Sequence, residues 1–193
     1  MIHNKYYEIM RYFLAGYDKE VYGRELIKKV KISQKNIALT LDKLEKEGIL
    51  SSKISGNIKY FSLNKKNSLI KSYLLLSEIE KSIEFFNKNP KIQQILGKIG
   101  NGEDIICIFG SYAKETQKKS SDLDLFIVGK FDENEIKAIS KDYGIGISIK
   151  GGTKSNFVSS LKEKNPLMEE ILENHIIFSG YEQFIGEVIK QRW

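Results

Sequence analysis

The sequence has very little cysteine, proline and tryptophan, and it has no long apolar run. Its 193 residues include one cysteine, two prolines and one tryptophan. A single cysteine, Cys107, excludes a disulfide within the chain. No apolar run approaches the roughly 20 residues that span a bilayer, and residues 1–5 are not followed by the apolar core of a signal peptide. These absences predict a cytoplasmic protein without a membrane partner.

Metal sites built from histidine or cysteine are also excluded. The two histidines, His3 and His175, are far apart and have no acid or thiol at ligand spacing. We expect His175 to be a turn or cap residue. Cys107 lies in an apolar run, where a thiol packs as a small hydrophobe; the alternative, a reactive nucleophile, lacks a neighbouring base.

Positive charge is concentrated in the first half of the chain, although the whole carries a net charge of only +6. Residues 1–90 contain 17 basic and 10 acidic residues, whereas the remainder contains 14 and 15. This asymmetry is typical of a nucleic-acid-binding module followed by an enzyme-like domain, but a solvated lysine-rich surface gives the same pattern. The length allows two small domains with separate cores.

Three helices and a β-hairpin are predicted in the first third of the chain. Ser33 has the character of an N-cap, and Gly48 can adopt the left-handed conformation that ends a helix. A turn around Gly56 separates two apolar runs that predict antiparallel strands. The predicted elements are helices over 3–17, 23–30 and 33–47, a strand starting at 49 and a strand over 58–63. This order is that of a winged helix-turn-helix domain.

Residues 33–50 are similar to the recognition helix and wing entry of MarR- and ArsR-like regulators. The resemblance implies that the exposed face of the third helix enters a DNA major groove while wing lysines reach phosphates. The alternative is a winged helix that packs only against a protein partner. The residues that the resemblance assigns to DNA are Gln34, Lys35, Asn36, Thr40, Lys43, Lys53 and Lys59.

A long linker helix is predicted at 64–90, because apolar residues recur there at spacings of three and four. Pro90 ends it, since the residue before proline is disfavoured in the α region. The apolar stripe is either covered within the chain or pairs with its twin in a homodimer. Its members are Leu69, Tyr73, Leu76, Ile79, Ile83 and Phe86.

The most informative stretch is 105–128, which combines two apolar runs with a sharp turn. The run 105–109 predicts a buried strand, and Gly110 and Ser111 follow it as a turn. Glycine has no Cβ to obstruct a close approach. The backbone N–H groups of Gly110, Ser111 and Tyr112 are therefore candidates to bind a phosphate.

Two aspartates follow on the second strand of this stretch. Asp122 and Asp124 are two residues apart, so in a strand both carboxylates lie on one face, while Leu123, Leu125 and Ile127 point into the core. Neighbouring carboxylates repel each other unless a cation lies between them, and hard oxygen ligands suit Mg²⁺ or Mn²⁺ held together with substrate phosphates. The pair therefore predicts a metal.

The Gly110–Ser111 turn, a polar spacer and then Ser121, Asp122 and Asp124 resemble the DNA polymerase β-like nucleotidyltransferase superfamily, especially its minimal prokaryotic members. The resemblance implies that Asp122 and Asp124 are catalytic and hold the metals. It also implies an NTP bound at Gly110, Ser111, Tyr112 and Ser121. The implied reaction is metal-dependent transfer of an NMP from the NTP to an unknown acceptor.

Two positions depart from the family pattern. Glu115 stands where such proteins usually carry glycine, and Ser148, in a predicted strand over 145–150, occupies the place of the third carboxylate of active members. The other acids that could substitute are Asp142, Glu169, Glu170 and Glu173. Two functions stay open: a Mg²⁺-dependent nucleotidyltransferase, or a DNA-binding transcriptional regulator whose second domain is inactive or only binds nucleotide.

Together these features predict an α+β protein with two domains. We assign 1–63 to a winged helix-turn-helix domain, 64–90 to the linker helix and 91–193 to a polymerase β-like nucleotidyltransferase α/β domain.

Overall fold

The computed structural model describes residues 5–100 and 105–193, and it divides into two compact units. The first comprises Met1–Ser77 together with Trp193, and the second Glu78–Arg192. Helices and two separate sheets occur together, which confirms the predicted mixed α+β class. Within the described ranges, no helix combines the length and apolar character needed to cross a membrane.

The first unit, which also includes the start of a long helix, has three α-helices and a three-stranded antiparallel sheet in residues 5–63. Its elements are α1 (Lys5–Met10), a 3-10 turn (Arg11–Phe13), β1 (Val21–Tyr22), α2 (Gly23–Ile27), α3 (Gln34–Lys46), β2 (Leu50–Ser55) and β3 (Ile58–Leu63). The central strand of the sheet is β3, which pairs with β2 on one side and β1 on the other. The two residues of β1 are too few to give a strand pattern in the sequence.

Local capping explains the bounds of α3. The Ser33 hydroxyl accepts the N–H of Asn36 at the start of the helix, and Gly48, with φ at 70°, follows its end. Ile37, Leu41 and Leu44 form the buried face of α3, as the apolar spacing predicted.

The first two predicted helices are too long. The first ends at Phe13, because Gly16 and Tyr17 both have positive φ and turn the chain away. Residues 3 and 4 of that prediction lie outside the described residues. The second ends at Ile27 rather than at residue 30. The Trp193 indole N–H donates to the Tyr17 carbonyl, which joins the last residue to this unit.

The long helix α4 (Ile70–Lys88) ends before Pro90, as predicted, and α5 (Pro90–Ile99) begins at that proline. The buried residues of α4 differ from the predicted apolar stripe. The fully or largely buried residues are Ile70, Leu74, Ser77, Glu78, Ser82, Phe85 and Phe86. Only Phe86 belongs to the predicted stripe, whereas Leu69, Leu76 and Ile83 are 57%, 50% and 55% exposed.

A four-stranded sheet with helices on both faces forms the second unit. After α5 its elements are β4 (Ile105–Phe109), α6 (Gly110–Ala113), β5 (Leu123–Val128), α7 (Glu133–Tyr143), β6 (Ile147–Gly152), α8 (Lys154–Lys162), α9 (Pro166–Glu173), β7 (Ile176–Ser179) and α10 (Tyr181–Arg192). The strand order is β6-β5-β4-β7; β4 is antiparallel to both neighbours, and β5 is parallel to β6.

Strand β5 is buried on both faces except at its aspartate. Leu123, Leu125 and Ile127 lie in one core cluster with residues of α5 and α7, as predicted. On the opposite face Phe126 packs against Phe157 of α8, with ring centroids 5.7 Å apart. This second layer was missed in the sequence, because alternation alone assigned only one core face to the strand.

A buried acid–base pair joins α4 to the segment after α9. His175 Nε2 lies 2.9 Å from Glu78 Oε1, and His175 Nδ1 lies 2.9 Å from the Ile171 carbonyl oxygen. Both side chains are buried. The Ile171 carbonyl belongs to the last turn of α9, so the contact of His175 Nδ1 agrees with the predicted cap role. Glu78, the second partner of His175, is 97 residues away in the chain and could not be read from the sequence. Cys107 is also buried, and burial raises the pKa of its thiol well above the usual range, in agreement with a packing role.

Candidate active site

The Gly110 turn meets Asp124 at one end of the sheet. The antiparallel register places Phe109, the last residue of β4, opposite Asp124 on β5. Gly110 follows with φ at 65°, and a Cβ on it would lie 2.3 Å from Asp124 Oδ2. Any other residue would be strained and would collide with the carboxylate. Glycine is thus required here for the close approach of a turn to an acid.

Asp122, which immediately precedes β5, rests against a second glycine. A Cβ on Gly146 would lie 1.9 Å from Asp122 Oδ1, and the adjacent Leu123 N–H donates to the Gly146 carbonyl at 2.7 Å. Sequence reasoning missed Gly146. The sequence did contain a signal for it, because two glycines, Gly144 and Gly146, stand close together before a predicted strand. Gly144 ends α7 in the left-handed conformation, so the turn does not account for Gly146.

Burial and the neighbouring carboxylate of Asp122 both affect the protonation of Asp124. The pKa of Asp124 is raised, chiefly by burial and then by the negative charge of Asp122. Ser148 lies opposite Asp124 in the parallel β5–β6 register, and its hydroxyl donates a hydrogen bond that lowers the pKa of Asp124 in part. The strand position expected to hold a third acid therefore presents a neutral donor.

The donor set fits a small divalent cation that is also bound by substrate. Asp122 and Asp124 offer hard oxygen ligands, and a cation between them would relieve the repulsion that raises the pKa of Asp124. In residues 5–100 and 105–193, no group of three or more aspartate, glutamate, histidine and cysteine side chains is arranged to hold a metal. Two carboxylates leave most coordination positions to phosphate oxygens and water.

Charged side chains act on the aspartate pair, and of these the sequence analysis named only Glu170, as a possible substitute acid. Lys150, two residues after Ser148 on the same face of β6, lowers the pKa of Asp124, while Glu170 on α9 raises it. Glu170 Oε1 lies 2.8 Å from Nζ of Lys114, the residue that follows α6. These contacts join residues from separate elements, so spacing in the sequence did not reveal them.

The predicted phosphate-binding residues have different environments. Ser111 is half-buried, whereas the Tyr112 side chain is packed in the core. Only the backbone of Tyr112 is therefore a candidate ligand. The Ser121 hydroxyl accepts the N–H of Lys118 and stabilises the loop before Asp122. Helix α6 has only four residues, which limits any contribution from a helix dipole.

The structure gives a physical reason for the usual glycine at position 115. Glu115 has φ at 53°, in the left-handed region, where a Cβ is costly. Its carboxylate lies 3.6 Å from Lys88 Nζ, and both side chains are more than half exposed. Such a pair contributes little stability, so the departure from glycine is only weakly offset.

The residues of α3 that were predicted to contact DNA differ in their exposure. Gln34, Lys35 and Lys43 are exposed, whereas Asn36 and Thr40 are half-buried and linked by a hydrogen bond from the Thr40 hydroxyl to the Asn36 carbonyl. The exposed positions of α3 also include Ala38, Leu39, Asp42 and Lys46.

The wing lysines are already paired with acids. Lys53 Nζ lies 2.6 Å from Glu20, and Lys59 Nζ lies 2.6 Å from Glu45. Lys43 has a looser pair with Glu47 at 3.7 Å. A groove of about 950 Å³ runs between α2, α3 and the hairpin, with Gln34 and Lys59 among its lining residues. Exposed ion pairs of this kind contribute little to stability.

Comparison with known proteins assigns the second unit to a family. The family model described as polymerase beta nucleotidyltransferase matches residues 80–183, more than half of the chain. A solved structure of TrmBL2, an archaeal chromatin protein described as showing a novel mode of DNA binding, has 13% identity and a TM-score of 0.26 over 100% of this chain and 93% of that one. That score is too low to establish a common fold.

No curated protein matches the sequence significantly. The matched range includes the whole β4–α6–β5–β6 arrangement, with Gly110, Asp122, Asp124 and Ser148 inside it. The resemblance carried by the Gly110–Ser111 turn and the aspartate pair is therefore confirmed for this part of the chain. The chain belongs to the polymerase beta nucleotidyltransferase family.

Proposed function

We propose that the second unit binds an NTP with Mg²⁺ or Mn²⁺ at Asp122 and Asp124 and transfers its NMP to an acceptor hydroxyl. The observation that carries this proposal is the convergence of the Gly110 turn and the two carboxylates, with two glycines accommodating the aspartates. The match to the nucleotidyltransferase family supports NTP as the substrate. Asp122 and Asp124, at the start of β5, supply the carboxylates that a metal-dependent phosphoryl transfer requires.

Each residue has a role that follows from its position. Asp122 and Asp124 would hold the cation, which when bound neutralises phosphate charge and polarises the phosphoryl group. The backbone of Gly110, Ser111 and Tyr112 would bind the triphosphate. Ser121 would stabilise the loop that precedes Asp122, because its hydroxyl accepts the Lys118 N–H. Lys150, whose charge already reaches Asp124, would add positive charge near the phosphates.

The described part of this site lacks an evident general base to remove the proton of the acceptor hydroxyl. A serine hydroxyl does not accept a proton from another hydroxyl at neutral pH, and Ser148 already donates its hydrogen to Asp124. Loss of a general base typically costs about 10²- to 10⁴-fold in rate. We therefore expect NTP binding with slow transfer.

A second candidate function is a regulator whose nucleotidyltransferase-like domain only binds nucleotide or is inactive. The observation that favours it is again Ser148 at the position opposite Asp124. Incubation of the protein with labelled NTPs, Mg²⁺ or Mn²⁺ and candidate acceptors separates the two functions. Label transfer to an acceptor supports the enzyme, whereas NTP binding without transfer supports the regulator.

For the first unit we propose a winged helix that binds DNA through α3, with the β2–β3 hairpin as the wing. The order of three helices and a hairpin supports this assignment, as does the exposure of Lys35 and Lys43. The negative charge of Asp42, on the same exposed surface, would repel DNA phosphates. Lys59 Nζ lies 3.8 Å from the Asp42 carboxylate and partly offsets this charge. We retain 1–63, 64–90 and 91–193 as the functional division of the chain.

Self-association through α4 is a further part of the proposal. Leu69, which immediately precedes α4, and Leu76 and Ile83 within it are seven residues apart and each at least half exposed, so they would form one row of the seam of a two-stranded coiled coil. A second copy of the same helix is the simplest complementary partner for this seam. Sedimentation of the wild type and of Leu76→Glu tests it: a monomeric wild type at high concentration would contradict the dimer.

A further inference from the structure

The loop between the Gly110 turn and Asp122 is attached to the candidate site at both ends. It comprises residues 114–121 and follows the short helix α6. At its start, the Thr116 N–H donates to the Ser111 carbonyl oxygen at 3.0 Å. The first half of the loop therefore lies against the turn that we assign to the triphosphate.

The second half of this loop contains Lys118 and Lys119. The Lys118 N–H donates to the Ser121 hydroxyl at 2.9 Å, and the Ser121 N–H donates to the Lys118 carbonyl oxygen at 3.0 Å. Ser121 is the residue before Asp122, so these two hydrogen bonds hold the backbone of Lys118 close to the first aspartate. A lysine has a long flexible side chain with a charged end, so both lysines can reach a ligand that extends from the aspartates toward the loop.

Lys118 and Lys119 also carry the positive charge of the loop that no acid offsets. Both side chains are exposed, and no acid in the described part of the chain lies within ion-pair distance of them. The other charged residues of the loop are paired: Lys114 lies 2.8 Å from a carboxylate of α9, and Glu115 lies 3.6 Å from a lysine of α4. The ammonium groups of Lys118 and Lys119 are therefore available to an anionic ligand.

A triphosphate needs cationic side chains at this site in addition to a metal. It brings several negative charges to a place where Asp122 and Asp124 are already negative, and a divalent cation offsets only part of the sum. The β- and γ-phosphates carry most of the charge of an NTP. Hydrogen bonds from lysine to phosphate oxygens are among the stronger ones, because the donor and the acceptor are both charged.

We propose that Lys118 and Lys119 bind the β- and γ-phosphates of the NTP and make the site selective for triphosphates over monophosphates. The inference rests on the proposed NTP-binding function. Neither lysine belongs to the Gly110 turn or to the aspartate pair, so both can be replaced without removing a residue that we assign to those parts of the site.

The test compares the binding of triphosphates and monophosphates by calorimetry in the presence of Mn²⁺. The four α,β-methylene NTPs, whose α–β bond cannot be cleaved by transfer, and the four NMPs are titrated one by one. Lys118→Gln with Lys119→Gln should weaken NTP binding about tenfold or more and should change NMP binding little. Lys118→Arg with Lys119→Arg keeps both charges and should bind NTP within a few-fold of the wild type.

Lys130→Gln with Lys154→Gln is the matched control, because it removes the same charge from the other end of the sheet. These lysines follow β5 and β6, whose last residues, Val128 and Gly152, pair with each other. The control should bind NTP and NMP like the wild type, and thermal unfolding checks that every variant is folded.

Three results would overturn the role of the lysines while the proposed function stands. They are unchanged NTP binding in the glutamine variant of Lys118 and Lys119, an equal loss of NTP and NMP binding in that variant, and a wild type that binds NTP no more tightly than NMP. A wild type that binds no NTP contradicts both this inference and the proposed function.

Discussion

Ser148 lies directly opposite Asp124 in the parallel β5–β6 pair and donates a hydrogen bond to its carboxylate. A side chain at this position is therefore within reach of the acid that we assign to the metal. Serine supplies a proton there, whereas a carboxylate would supply a base and a metal ligand. If the second unit transfers NMP as proposed, we expect the residue at position 148 to determine whether that transfer is fast or slow.

Ser148→Asp should increase any NMP transfer, by up to about 10²- to 10⁴-fold, because it restores an acid that can accept the proton of the acceptor hydroxyl. Without metal the same variant should unfold at a lower temperature, since a third negative charge joins Asp122 and Asp124. Single-turnover assays with labelled NTP and thermal unfolding measure the two effects.

Ser148→Ala is the matched control, because it removes the hydrogen bond to Asp124 without adding an acid. It should not increase transfer. Equal rates for Ser148→Asp and Ser148→Ala would show that position 148 does not limit the reaction.

The raised pKa of Asp124 predicts how stability depends on pH. An acid whose pKa is higher in the folded state contributes stability that is present below its unfolded pKa, about 3.9, and is lost as the pH rises through its folded pKa. At pH 7 the charged side chain therefore destabilises the metal-free protein. Asp124→Asn should increase the melting temperature at pH 7 in a chelating buffer, and the increase should shrink as the pH falls toward 4.

Asp142→Asn removes a carboxylate from an exposed position of α7 and serves as the control. It should change the melting temperature little at either pH. A lower melting temperature for Asp124→Asn at pH 7 would mean that the Asp124 carboxylate is stabilised by partners that outweigh its burial and the charge of Asp122.

Gly146→Ala should disturb Asp122 directly, because the new Cβ would lie 1.9 Å from Oδ1. We expect weaker binding of Mn²⁺ with NTP and a loss of stability, since the Asp122 carboxylate must move. Gly97→Ala is the control: nothing lies within 4 Å of that Cβ, and an alanine inside α5 should stabilise the protein by about 0.5–1 kcal/mol. Unchanged metal binding in Gly146→Ala would remove Asp122 from the site.

DNA binding by the first unit should weaken when Lys35 and Lys43 are both replaced by alanine. Each phosphate contact contributes about −0.9 to the slope of log affinity against log salt, so the double variant should reduce the slope by about 2. Filter binding to a duplex library at several salt concentrations measures it. Lys137→Ala with Lys141→Ala removes the same charge from α7 and should leave the slope unchanged; no association of the wild type at low salt would contradict DNA binding.

Features set by neighbouring residues could be predicted from the sequence. The Ser33 cap depends on an N–H three residues away. The two-residue spacing of Asp122 and Asp124 also predicted that their charges act on each other, as the raised pKa of Asp124 shows. The Gly110 turn likewise follows from the end of an apolar run. The place of Ser148 was anticipated only through the family resemblance, because its pairing with Asp124 joins two separate strands.

Features set by tertiary contacts could not be predicted. The partner of His175 is Glu78, and the acid near Lys114 is 56 residues away in the chain. In α4 the predicted apolar stripe is only partly covered: the helix buries the polar residues Ser77, Glu78 and Ser82 and leaves Leu76 and Ile83 exposed. Periodicity places residues on a face, but it does not show which face meets a partner when both contain apolar residues.

The most direct test of the central claim is the thermal stability of the wild type and of the double variant Asp122→Asn, Asp124→Asn, with and without Mg²⁺ and NTP. A ligand at 100 times its dissociation constant stabilises a protein by about 2.7 kcal/mol, so the wild type should gain a clear increase in melting temperature. The double variant should gain none and should be at least as stable as the metal-free wild type. Absence of stabilisation in the wild type, or its persistence in the double variant, would contradict a metal–NTP site at these aspartates.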